Sequence, residues 1–69
     1  MKIRKGRYRH FKGNEYEVID VARCSETDAT FVIYKPLYSD EGLWIRPLDM
    51  FLERIERDGK EIDRFEFLG

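Results

Sequence analysis

Apolar and polar positions alternate along this chain in short runs, separated by clusters of glycine, proline, asparagine, aspartate and serine. That rhythm predicts strands rather than helices. Gly6 to Phe11 alternates loosely and stops at Lys12-Gly13-Asn14, a cluster that tolerates left-handed backbone and so marks a tight turn. Glu15 to Cys24 is rich in β-branched and aromatic residues, as strands prefer. Its apolar set slips from Tyr16 and Val18 to Ile19 and Val21, and a one-residue phase change of this kind predicts a bulge near Ile19-Asp20 that bends the strand. After the polar turn Ser25-Glu26-Thr27-Asp28, a third strand from Ala29 to Leu37 is apolar on both faces at Phe31, Val32, Ile33 and Tyr34. It forms a central hairpin with the second. Pro36 has no N–H to give to a sheet ladder, which puts the end of this strand at an edge or exit.

Ser39-Asp40-Glu41-Gly42 is the next turn, followed by a short fourth strand, Leu43 to Arg46, closed by Pro47. Pro47 to Leu52 opens on proline and continues in good helix formers, but its length permits only a single turn, expected to be 3₁₀. Asp58-Gly59, between Arg54-Ile55-Glu56 and Glu61-Ile62, is a strong two-residue hairpin signal. A strict two-residue loop would set Arg57 opposite Lys60 and Glu56 opposite Glu61, so like charges argue for a longer or less regular hairpin. Arg64 to Leu68 alternates with Phe65 and Phe67 on one side. The whole predicts a mostly β fold, an SH3-like barrel of five or six short strands with one helical turn. The alternative is a two-layer α+β domain with a longer helix from Leu48 to Arg57, entered at Pro47 and ended before Gly59.

Sixty-nine residues suffice for one domain, 1–69, with residues 1–5 as a basic N-terminal arm. A core this thin needs its large side chains inside, and the ten aromatics, Tyr8, Phe11, Tyr16, Phe31, Tyr34, Tyr38, Trp44, Phe51, Phe65 and Phe67, are expected to supply most of it. The formal net charge is −1, yet its distribution is uneven. Lys2, Arg4, Lys5, Arg7, Arg9 and Lys12 meet no acidic residue in the first twelve positions, whereas the remainder carries 7 basic and 14 acidic groups. Such an arm either binds phosphates or folds onto its own negative body. The single cysteine, Cys24, excludes an internal disulfide and points to a reducing compartment, the cytoplasm. No apolar stretch has the length of a signal peptide or a membrane span, so neither export nor membrane insertion is expected.

Few residues suggest chemistry. His10 is the one histidine and pairs with no cysteine or carboxylate at metal-ligand spacing, so no metal site is expected. A Cys24–His10 nucleophile pair would also need an electropositive setting and an oxyanion hole, neither of which the sequence displays. Glycine-rich phosphate-binding motifs are absent, and no cofactor is implied. Trp44-Ile45-Arg46-Pro47 stands apart, because tryptophan and arginine are the side chains most frequent at binding hot spots. On a strand, Trp44 and Arg46 share a face. Either that face looks outward as a contact site, or Trp44 is the central ring of the core and Arg46 caps it from the rim.

The blocks Gly6-Arg7-Tyr8-Arg9-His10-Phe11-Lys12-Gly13-Asn14 with Tyr16-Glu17-Val18, then Val21-Ala22-Arg23, Ser25-Glu26-Thr27, Tyr34 and Leu43-Trp44-Ile45-Arg46-Pro47-Leu48 with Met50-Phe51, form a recognisable pattern. It resembles the bacterial domain of unknown function family 1653 over positions 6 to about 67. The resemblance implies a small cytoplasmic domain, often stand-alone and without an established activity. It draws interest to Tyr8, His10, Tyr16, Trp44 and Arg46, and it places Cys24 where histidine is frequent in the family. Taken with the residues, the expected function is a non-catalytic binding or adaptor domain that recognises a protein or peptide partner through Trp44, Arg46, Tyr8, His10 and Tyr38. The alternative is a nucleic-acid accessory domain in which Lys2, Arg4, Lys5, Arg7, Arg9 and Lys12 meet phosphates while exposed aromatics stack on bases.

Overall fold

The computed structural model describes residues 3–69. Among them the elements run β1 (Gly6–His10), β2 (Glu15–Arg23), β3 (Thr30–Pro36), β4 (Trp44–Pro47), α1 (Leu48–Phe51), β5 (Arg54–Arg57), β6 (Lys60–Asp63) and β7 (Phe65–Phe67). The mostly β class with one helical turn is what the structure shows. Five strands form an antiparallel sheet in the order β4-β3-β2-β1-β7, and β5 and β6 form a separate hairpin. The main sheet is not closed into a barrel, because β4 and β7 remain its two edges.

The sheet is nonetheless bent, and the bend begins at the predicted bulge. Val18 pairs with Tyr34 and Asp20 with Ile33, so Ile19 is the extra residue on β2. An unpaired residue on one strand increases the local twist and lets the sheet curl. Pro36 is the last residue of β3 and lies beyond the stretch, Phe31 to Tyr34, that pairs with β4. Its missing N–H therefore breaks no ladder.

The two-layer α+β alternative fails at Leu52. The helix is four residues long, Leu52 donates its N–H to the Leu48 carbonyl at 3.0 Å, and Glu53 donates to Met50 at 3.3 Å before the chain extends into β5. The first of these bonds is of α rather than 3₁₀ type, which corrects the expected form of the turn. Residues 54–57 pair with β6 across Asp58-Gly59 and are not available to a helix.

That hairpin is also tighter than charge pairing alone predicts. Arg57 does stand opposite Lys60 and Glu56 opposite Glu61, with Asp58 at φ 55° and Gly59 at φ 77° forming the turn. Two successive positive φ values are what a two-residue hairpin loop requires, and Asp-Gly supplies them at low cost. Two of the four charges are drawn to other partners. Arg54 Nε lies 3.4 Å from Glu61 and 3.6 Å from Asp63, and Arg57 donates to the Phe11 carbonyl at 3.3 Å.

The core lies on the concave face of the sheet under α1. It consists of Tyr8, Tyr16, Val18, Val32, Tyr34, Leu48, Phe51 and Phe65, with Ile3, Trp44 and Phe67 packed against it. Five of these eight carry rings, in keeping with a small domain that relies on aromatic bulk. The three core tyrosines direct their hydroxyls to the rim: Tyr8 donates to the Arg4 carbonyl at 2.6 Å, Tyr16 meets the Tyr38 hydroxyl at 3.3 Å, and Tyr34 accepts from Arg46 Nε at 3.4 Å. A buried phenol needs such a partner, and here each finds one without a polar group entering the core.

Candidate functional site

Strand β4 sets Trp44 opposite Tyr34 and Arg46 opposite Val32. Tyr34 and Val32 are buried, so both β4 side chains belong to the concave face, the shared face that their spacing predicts. Trp44 is half-buried. Its ring stands 6.1 Å from that of Tyr34, nearly perpendicular, and 6.1 Å from that of Tyr16. Trp44 thus combines the two sequence readings, with part of the indole on the core and part open to solvent, and Tyr38, which also packs on Tyr16, is 52% exposed. Tyr38 in turn sits edge-on to Tyr16 at 5.6 Å. Tyr16, Tyr34, Tyr38 and Trp44 form one aromatic wall at the β4 edge of the sheet.

Arg46 lies at the end of this wall. Its guanidinium stands over the ring of Phe65 at 5.5 Å, and its Nε donates to the Tyr34 hydroxyl. Among the described residues Arg46 has no carboxylate within ion-pair distance, in contrast to Arg7, Arg9, Arg23, Arg54 and Arg64. His10 reaches the same ring from β1: it pairs with Phe65 across the β1–β7 ladder, and its imidazole stands edge-on to that ring at 4.9 Å. The Lys12 N–H donates to His10 Nδ1 at 3.2 Å. Accepting at Nδ1 leaves Nε2 as the nitrogen that carries the proton in the neutral ring. Burial, followed by the positive charges of Arg64, Arg46 and Lys12, lowers the His10 pKa.

The hydroxyl of Tyr16 is affected in the opposite sense. Its pKa is pushed up to about 12, first by burial and then by the hydrogen bond and proximity of Tyr38 and the proximity of Tyr34, against a smaller opposing hydrogen bond from Asn14. This phenol remains a neutral donor or acceptor throughout the physiological range.

Tyr8 does not belong to this site. It is 5% exposed, its ring packs on Phe51 and Phe67, and its hydroxyl is engaged by the Arg4 carbonyl. The alternation that makes β1 a strand turns Tyr8 inward, which removes it from the expected binding set. Conversely, the sequence points to no site role for Phe65 or Arg64, since only the curl of the sheet brings β7 against β4 and β3. The sequence signal for Phe65 was its alternation with Phe67; for Arg64 there was none.

Nor do His10 and Cys24 converge. His10 donates its backbone N–H to Asn14 at the start of β2, whereas Cys24 follows the end of that nine-residue strand, on the order of 30 Å away at about 3.3 Å per residue. The Cys–His pair is excluded on geometry. Among the described residues no group of three or more His, Cys, Asp or Glu is placed to hold a metal ion, and no helix is long and apolar enough to cross a membrane.

The basic arm folds onto its own surface. Lys5 pairs with Asp20 at 3.6 Å, Arg7 with Glu15 at 3.7 Å and Arg9 with Glu66 at 3.3 Å, and Arg4 stacks over Phe67 at 4.0 Å. Lys12 differs: it lies 5.8 Å from the Phe11 ring, with no carboxylate in reach among the described residues. Lys2 lies outside the described residues.

The profile of the family described as "Protein of unknown function (DUF1653)" matches residues 6–67, nearly the whole chain. The chain belongs to this family. A crystal structure of a DUF1653 protein from the bacterium Bordetella bronchiseptica is similar throughout, with a TM-score of 0.88 and 34% sequence identity over 99% of this chain and 90% of that one. No curated protein matches. The DUF1653 blocks around Tyr8 to Tyr16 and Leu43 to Phe51 therefore serve two purposes in this fold. Tyr8, Tyr16, Leu48 and Phe51 are core, while His10, Trp44 and Arg46 reach the half-exposed rim above it.

Proposed function

We propose that this DUF1653 chain is a non-catalytic binding module of the cytoplasm, whose aromatic wall and Arg46 recognise a protein or peptide segment. One observation carries the reading: Arg46 is held over Phe65 and against Tyr34 with no carboxylate partner among the described residues, next to the half-exposed Trp44 and the exposed Tyr38. A positioned guanidinium without a counter-ion, beside amphipathic rings, is the composition of a binding hot spot. Strand β4 holds Trp44 and Arg46 in place, so little ordering entropy of these two opposes association.

The nucleic-acid alternative has less support, because Lys5, Arg7 and Arg9 each lie beside a carboxylate and the body of the chain is acidic. Shift mapping by NMR against peptide pools tests the proposal. Trp44 Nε1–H, Tyr38 and Arg46 Nε–H are expected to move together, and a pool that binds while leaving them in place overturns it. Titration with RNA and single-stranded DNA at two salt concentrations tests the alternative, whose affinity must fall by about one logarithmic unit per tenfold salt for each phosphate neutralised.

A further inference from the structure

Beyond the aromatic wall, the rim at Phe65 gathers basic groups from three separate parts of the chain. Arg46 comes from β4, His10 and Lys12 from the end of β1 and its turn, and Arg64 from the residue joining β6 to β7. Arg46 and His10 both pack on the Phe65 ring, and the positive charges of Arg64, Arg46 and Lys12 reach the His10 imidazole. Of these groups Arg64 is the one with an ion-pair partner among the described residues, Glu53, which holds its Nη2. Arg64 Nε is buried and has no hydrogen-bond partner. The result is a positive spot on a chain whose net charge is negative.

We infer that this spot is an anchor for a carboxylate, and that the segment recognised at the aromatic wall presents a carboxylate next to an apolar or aromatic group. The inference rests on the proposed binding role and specifies its ligand chemistry. With Nε engaged by Tyr34, the two Nη groups of Arg46 form a free fork of the geometry that a planar carboxylate fills with two parallel hydrogen bonds. His10, whose neutral ring carries its proton at Nε2 because the Lys12 N–H occupies Nδ1, packs edge-on against the same Phe65 ring and offers a second donor. A single free fork with one neutral donor matches a monoanion. A phosphate dianion calls for more donors, and Arg64, the next candidate, is already held by Glu53. The neighbouring Trp44 and Tyr38 provide a surface for the apolar part of the ligand, with Trp44 fixed by its packing on Tyr16 and Tyr34.

An anion seated here also changes His10. Bound negative charge offsets the field of Arg46, Arg64 and Lys12, so the imidazole must take up its proton more readily in the complex than in the free protein. A ligand that merely sits on Trp44 has no such effect.

The test uses the full chain, NMR, and small probes: N-acetylphenylalanine, its neutral amide, phenyl phosphate and a short single-stranded oligonucleotide. The carboxylate is expected to shift Trp44 Nε1–H and Arg46 Nε–H and to raise the His10 titration midpoint. The amide is expected to bind at least about tenfold more weakly and to leave that midpoint unchanged, as the loss of a charge-assisted bond implies. Arg46→Lys, which keeps the charge and removes the fork, is expected to lose a similar factor for the carboxylate alone. Equal binding of carboxylate and amide overturns the anchor and leaves the peptide module standing, whereas peptide pools that fail to move Trp44 overturn the module itself. Saturation by phenyl phosphate or the oligonucleotide under conditions where the carboxylate does not bind overturns the choice of ligand.

Discussion

The ring of Phe51 lies parallel to that of Phe65, with centroids 4.1 Å apart and planes 7° apart. Phe51 ends the helical turn that follows β4, one edge of the sheet, and Phe65 begins β7, the other edge. This stack joins the two sides of an open sheet where no ladder of hydrogen bonds does. It also fixes the ring over which Arg46 and His10 meet.

Phe51→Ala therefore removes a side chain that is 1% exposed and opens a cavity at that junction. The expected loss is about 3–5 kcal/mol, a large part of what so small a domain possesses. Chemical denaturation with tryptophan fluorescence as the signal measures it. Phe51→Leu is expected to lose less, and a loss below about 1 kcal/mol for the alanine variant would show that the stack does not join the edges.

Acid should weaken the fold through His10. Its folded pKa lies below the ordinary 6.5, so as pH falls through 6.5 the unfolded chain takes up a proton that the folded one refuses. Stability from this group is complete above 6.5 and is lost as pH falls toward the folded value. His10→Gln is expected to flatten that slope in denaturation curves recorded at successive pH values. An unchanged slope would place the acid sensitivity elsewhere.

At the alkaline end the sign reverses. The Tyr16 phenol is raised to about 12 from 10.0, so the folded chain retains a proton that the unfolded chain releases, and stability falls as pH rises from 10 toward 12. Ultraviolet titration of phenolate formation should show a late step that Tyr16→Phe abolishes. Persistence of that step in the variant would assign it to Tyr8, whose pKa is also raised by burial.

A side chain at Gly6 would be strained and crowded. This glycine has φ 138°, and a Cβ there would meet Phe67 Cε1 at 3.2 Å and the Gly69 carbonyl oxygen at 3.3 Å. Gly6→Ala is expected to cost about 1–3 kcal/mol and to loosen β7 from β1, read as faster amide exchange at Leu68, which donates to the Arg7 carbonyl. Unaltered exchange there would mean that the edge strand accommodates the methyl group.

The Cys24 thiol has a lowered pKa, chiefly through a side-chain hydrogen bond from Thr27, with backbone N–H groups of Thr27 and Glu26 adding to it. Alkylation by iodoacetamide should accordingly reach half its maximal rate below the ordinary thiol value of 9.0, and Thr27→Val should move that midpoint upward. Identical midpoints in the two proteins would refute the role of the Thr27 hydroxyl.

Local pattern determined a good deal of this protein by itself. The change of phase between Val18 and Ile19 located the bulge, Asp58-Gly59 located the hairpin, and Pro47 located the helical turn, because each depends on the backbone preferences of a few adjacent residues. The same periodicity put Trp44 and Arg46 on one face. The openness of the sheet, the inward turn of Tyr8, the ion pairs that hold Lys5, Arg7 and Arg9, and the meeting of His10, Arg46 and Arg64 around Phe65 were decided only by the tertiary structure. They join residues far apart in the chain, Arg9 and Glu66 by 57 positions, and depend on how far the sheet curls. The bulge at Ile19 starts that curl locally, but how far it goes is set by the assembled core.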